Sequence, residues 1–122
     1  MTTPLPFPEY DELDGLALAD HIRRGAVSAE EVVEAAIARM VVRNPGLNAV
    51  VRPLEGMARE MVKHLPARGV FAGVPMVIKD LVSNIAGVPT SFGTRVLQQV
   101  VPDHDSELIS RYRTAGAVFI GK

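Results

Sequence analysis

The sequence predicts an α/β fold in which N-terminal helices are followed by the first strands of a sheet that this chain does not complete. Three observations carry that prediction. Apolar residues recur at helical spacing through the first half, most regularly after Ser28. Beyond Gly69 the texture changes to short β-branched runs, "GVPMVIKDLV" and "AVFI". Between those runs lie a loop rich in Gly, Ser, Thr and Pro and one helical segment, so the order is strand, crossover helix, strand.

Residues 1–12 carry Pro4, Pro6 and Pro8 and read as an extended arm. A short helix is expected from Asp11 or Asp14, carrying Leu18, Ala19 and Ile22 and stopping at Gly25. The next helix has the strongest start signal in the chain. Ser28 and Glu31 stand at capping-box spacing, and Val27 with Val32 can form a hydrophobic staple. Val33, Ala36, Ile37 and Met40 then mark one face, and "NPG" at Asn44–Gly46 is the expected end.

A brief extended piece, "NAVV", leads through Pro53 into a third helix with Leu54, Met57, Ala58, Met61 and Leu65 on its inner side. At that spacing the methionines are core residues rather than an adaptable binding surface. Gly69 closes the helical half. "GVPMVIKDLV" reads as a buried strand, and "SNIAGVPTSFGTR" as a loop. A helix capped by Asp105 or Ser106 follows, with Leu108, Ile109, Tyr112 and Ala115 inward and Gly116 at its end. "AVFI" is the second buried strand.

The arm over residues 1–12 thus precedes one unit over residues 13–122, helical to about residue 69 and strand–helix–strand from about residue 70. Continuous apolar strands belong in sheets buried on both faces with neighbours on each side. This chain has few candidates for those neighbours, so either the helical half covers the strands tightly or part of the sheet is missing and an edge stays open.

Composition narrows the function classes. The chain has 122 residues, 48% of them hydrophobic and 22% charged, which is a folding rather than a disordered composition. Thirteen basic against fourteen acidic residues leave no electrostatic footprint for nucleic acid or an anionic membrane. The absence of cysteine excludes disulfides, thiolate zinc sites and cysteine nucleophiles. His21, His64 and His104 share no metal-ligand spacing, and "DHD" at Asp103–Asp105 reads as carboxylates at a helix N-terminus. There is no secretory leader pattern and no apolar run long enough to cross a bilayer, so a soluble, cytoplasmic protein is expected.

Two lysines follow apolar runs. Gly116, Gly121 and Lys122 formally fit the G-x-x-x-x-G-K of a phosphate loop, but the four residues between the glycines are strand formers. Such a loop needs a turn whose N–H groups converge on phosphates, so nucleotide binding is rejected. Lys79 follows Met76, Val77 and Ile78 and has three explanations. It can sit at the sheet's edge with its ammonium in water, pair with Asp80 or another acid, or be desolvated so that it works as a general base.

At "FAGVPMVIKDLVSNIAGVPTSFGTR" the chain resembles the amidase signature family, whose members carry a G-V-P-x-x-x-K-D element followed by a glycine-rich loop. "DSELISRYRTAGAVFIGK" resembles the family's helix and strand ending in A-G-A-x-x-x-G-K. "GLALADHIRRGAVSAEEVVEAAIARMVVRNPGLNAVV" is similar to its N-terminal helical pair. The resemblance implies the beginning of a mixed central sheet. It also implies a Ser–cis-Ser–Lys triad that cleaves carboxylic amides through an acyl-enzyme, which is then hydrolysed or passed to another amine. Lys79 matches the catalytic lysine, and Asp80 matches the family's following aspartate, a structural residue. The implied substrate is a small-molecule or acyl amide, and neither metal nor organic cofactor is implied.

The chain departs from the family pattern at the serines. Ser83, Ser91, Ser106 and Ser110 follow Lys79, but none lies in a Gly-Gly-Ser-Ser-Gly context, so neither serine role is carried onto them. The resemblance therefore implies a truncated, N-terminal segment of an amidohydrolase. It supplies only the lysine, is inactive alone, and needs the rest of its domain or self-association. The alternative is a non-catalytic fragment or docking module that associates with a partner or itself through unpaired apolar strands.

Overall fold

In the computed structural model, which describes residues 5–122, the arm turns instead of running extended: Pro8–Glu12 form a 3-10 helix. Proline's fixed φ suits a first helical turn. The part of the arm over residues 1–4 lies outside the described residues. Arg39 holds the rest down. Its guanidinium donates to the Pro6 and Phe7 carbonyls, pairs with Asp11 at 3.1 Å and lies over the Tyr10 ring.

Helix α1 spans Gly15–Arg23, with the Asp14 carboxylate accepting from the Ala17 amide as its cap and Leu18 and Ala19 buried. Helix α2 spans Ala29–Leu47 and starts as the sequence reads. Ser28 and Glu31 form the reciprocal capping box, and Val27 packs in the same cluster as Val32. Its end differs from the expectation, because the helix passes through Pro45 and stops at Asn48, a left-handed cap with φ 49°. Pro45 lies in the last turn, so it forfeits a single bond, while the Asn48 amide still donates to the Asn44 carbonyl at 2.7 Å. Helix α3 spans Glu55–Val62 and buries Ala58 and Val62, with Leu54, Met57, Met61 and Leu65 half-buried beside them.

Strand β1, Pro75–Val77, pairs in parallel with β2, Val118–Gly121, and helix α4, Glu107–Ala115, lies on the crossover. β2 is apolar throughout because both its faces are covered. Val118 and Ile120 pack with Val33 and Ile37 of α2, whereas Ala117 and Phe119 pack with Ile85, Val88 and Ile109. On α4, Leu108 is 45% exposed, against the inward position read from the sequence. Ile109 takes the core position, and the next residue along a helix points about 100° away from it. Gly116 closes α4 at φ 89°, and a Cβ there would stand 2.5 Å from the Ala72 Cα.

Beyond its pairing with β1, β2 has a second backbone partner. The Val51 and Arg52 amides donate to the Lys122 carbonyl, and the Lys122 amide donates to the Arg52 carbonyl. The edge that stays open therefore falls on β1, which has β2 as its one strand neighbour among the described residues. Val77 is 54% exposed there.

Candidate active site

Parallel pairing brings both lysines to the same end of the sheet. Val77 is in register with Gly121, and the Ile78 amide donates to the Gly121 carbonyl at 2.9 Å. The chain therefore leaves β1 through Lys79 and Asp80 at the level where β2 gives way to Lys122. Their fates are opposite. Lys79 is exposed, whereas the Lys122 side chain is wholly buried.

A buried ammonium needs partners, and Lys122 has two. Its Nζ donates to Thr90 Oγ1 at 2.7 Å and stands 3.2 Å from Asp80 Oδ1. Asp80 in turn accepts from the Ser91 amide at 3.2 Å and from the Ser91 hydroxyl. Burial pushes the Asp80 carboxyl up, but the Ser91 hydrogen bonds and the Lys122 ammonium together outweigh it and hold the group below the usual carboxylate value. The cluster joins the end of β2 to two loop segments.

Around it lies an open cleft of about 810 Å³, lined by Val51, Val77, Lys79, Asp80, Ser91, Phe92, Arg95 and Lys122 among others. Lys79 forms no ion pair there among the described residues. Val82 and Phe92 flank the anchored pair in left-handed conformations, φ 52° and 55°, which side chains with a Cβ rarely adopt. Fixed neighbours can sustain such strain, and Asp80 with Ser91 supplies them here.

Of the three explanations for Lys79, the geometry of this chain matches the first, an amine in water. The pairing with Asp80 is taken by Lys122. The apolar strand end read as desolvating Lys79 does not enclose it. β1 stops two residues earlier, and its last residue, Val77, is itself exposed on the open edge. Asp80 itself is engaged by the Lys122 ammonium and by the Ser91 amide and hydroxyl.

Sequence reasoning missed Lys122, Thr90 and Ser91 as a unit. A signal for Lys122 existed: "MVIK" and "VFIGK" both run an apolar strand into a lysine. Nothing local marks Thr90 or Ser91, which reach Asp80 and Lys122 only through the fold. The residues between Gly116 and Gly121 are buried and Val118–Gly121 is strand, so no phosphate loop forms there. Asp105 accepts from the Ala86 amide and pairs with Arg113, and no metal-holding cluster occurs among the described residues. Nor is any helix among them long and apolar enough to cross a membrane.

Comparison with known proteins adds a family. The model of the family described as Amidase matches residues 31–122. The chain is 39% identical over 118 residues to a 6-aminohexanoate-cyclic-dimer hydrolase of Paenarthrobacter ureafaciens, covering 89% of this chain and 22% of that protein. A solved structure of 6-aminohexanoate cyclic dimer hydrolase complexed with substrate superposes with TM-score 0.85 at 36% identity, over 90% of this chain and 23% of that one. A bacterial aryl acylamidase of the amidase signature enzymes superposes with TM-score 0.82 at 28% identity, over 89% of this chain and 24% of that one. The chain thus spans about a quarter of the length of the relatives it matches, 24% for the first of them. The similarity lies in their N-terminal part, helices followed by short parallel strands.

Proposed function

The chain belongs to the amidase family, and from that premise we propose that it is the N-terminal segment of an amidohydrolase cleaving carboxylic amide C–N bonds, with Lys79 as the general base. In this reading the neutral Lys79 amine takes a proton, through a serine held in a cis peptide bond, from the nucleophilic serine. That serine's oxygen attacks the amide carbonyl, and the C–N bond breaks as the leaving nitrogen receives a proton. Water or a second amine then resolves the acyl-enzyme. Both serines belong to parts of the domain outside this chain, which alone is inactive. The reaction uses no cofactor, the substrate is a small-molecule or acyl amide, and the setting is cytoplasmic.

One observation supports the assignment: among the described residues Lys79 forms no ion pair in the cleft, while the acid beside it is engaged by Lys122 and Ser91. A lysine serves as base only in its neutral form, which needs water excluded from around it. That cover falls to the parts of the relatives this chain does not match.

Replacing the matching segment of the 6-aminohexanoate-cyclic-dimer hydrolase by this chain tests the assignment. The chimera cleaves amides, and Lys79→Met in it lowers turnover by roughly a hundred- to ten-thousandfold, the usual range for a general base. Unchanged turnover in Lys79→Met would overturn the role. Amide hydrolysis by the purified 122-residue chain itself would overturn the segment reading.

The exposed outer edge of β1 favours a second reading, in which the chain is a non-catalytic docking module that pairs with a partner or a second copy there.

A further inference from the structure

We propose that Lys122 is a positioning residue: by occupying the carboxylate of Asp80 from within the core, it keeps that acid from pairing with the adjacent Lys79. Lys79 and Asp80 are neighbours in sequence at the rim of one cleft, and a free aspartate there would be the nearest counter-ion for the Lys79 ammonium. An opposite charge a few ångströms away favours the charged form of an amine, which is the wrong form for a base. The charged side chains lining the cleft among the described residues are Lys79, Asp80, Arg95 and Lys122, so Asp80 is the one acidic side chain there.

The geometry gives Lys122 the means to compete. Its side chain is wholly buried, the Asp80 side chain is 13% exposed, and their ion pair spans 3.2 Å away from bulk water. Two donors from Ser91 fill other acceptor sites on the same carboxylate. Thr90 Oγ1, at 2.7 Å, fixes the ammonium from a second side. Lys79 is on the water side, where an ion pair with Asp80 would gain little. Leaving Lys122 unpaired in the core would be far more costly, so Asp80 stays with Lys122.

This deepens the amidase reading, since a free amine at residue 79 matters only if Lys79 is the base. Its test nevertheless needs no turnover. The 122-residue chain is pulse-labelled with an amine-reactive ester across a range of pH, and acylation at each lysine is read by mass spectrometry. In the unaltered chain, Lys79 reacts readily and Lys122 is protected. In Lys122→Met, Lys79 reacts several-fold more slowly at a fixed mildly alkaline pH, and its profile moves to higher pH because Asp80 is released to it. Adding Asp80→Asn to Lys122→Met restores the original profile, and Lys122→Arg, which keeps the charge, largely preserves it.

An unchanged Lys79 profile in Lys122→Met would overturn the proposal, as would a double variant that behaves like Lys122→Met alone. Should Lys122→Met fail to fold, labelling of the unaltered chain decides, because Lys122 reacting as fast as Lys79 refutes the buried pair. Failure of the chimera with intact labelling results would reject the catalytic reading alone.

Discussion

The Asp80 carboxylate is ionised where the chain needs it, facing the Lys122 ammonium and two donors from Ser91. Its folded pKa lies below the unfolded value of about 3.9, so its contribution to stability is present above that pH and is lost as pH falls through the folded value. Thermal melts between about pH 5 and about pH 2 therefore lose stability along a limb that flattens in Asp80→Asn. Equal limbs in both proteins would remove Asp80 from the account. Ser91 is the matching partner. With its amide and hydroxyl turned to Asp80, it is a poor candidate for a nucleophile despite lying in the cleft. Arg39 shows the same principle in helix α2. A buried cation is kept by several acceptors at once, and the arm is tied down as a result.

Helix α2 is the element whose physics is most local. Its capping box is made by residues three apart, with the Ser28 amide donating to Glu31 at 2.8 Å and the Glu31 amide donating to Ser28 Oγ at 3.1 Å. Ser28→Ala costs about 1 kcal/mol and lowers the melting temperature by about 4 °C, while Ser28→Asp retains most of both. Calorimetry of the three proteins checks this. Helix α4 depends instead on one buried anchor, Ile109, which is fully inaccessible and packed against Phe119 and Ile85. Ile109→Ala costs about 2–5 kcal/mol in chemical denaturation, whereas exposed Leu108→Ala costs well under that. Equal losses at the two positions would mean that the helix is rotated from the face described here.

For the whole molecule, the balance of covered and open surface matters most. α2 and α3 cover one face of β2, α4 and the loop cover the other, and the Val51–Leu54 segment closes its second edge. The outer edge of β1 has no such cover among the described residues. The chain therefore associates as concentration rises, read by light scattering, and Val77→Lys suppresses association without lowering the melting temperature. A monodisperse monomer at high concentration would count against both docking and the incomplete sheet. How far the sequence was legible follows the range of each interaction. Helices α1 and α2, the β2 core and the family resemblance of Lys79 rest on caps, periodicity and short motifs, which act over a few residues. The end of α2 misled because a proline can sit in a last turn whose lost bond other groups offset. Leu108 misled because helical spacing cannot choose between adjacent faces when both carry apolar residues. The sequence alone determined which lysine stands in the G-V-P-x-x-x-K-D element. Only the tertiary structure decided which lysine is buried, because burial depends on Thr90 and Asp80 converging on Lys122 across 32 and 42 residues of chain and on parallel pairing that brings two strand ends together.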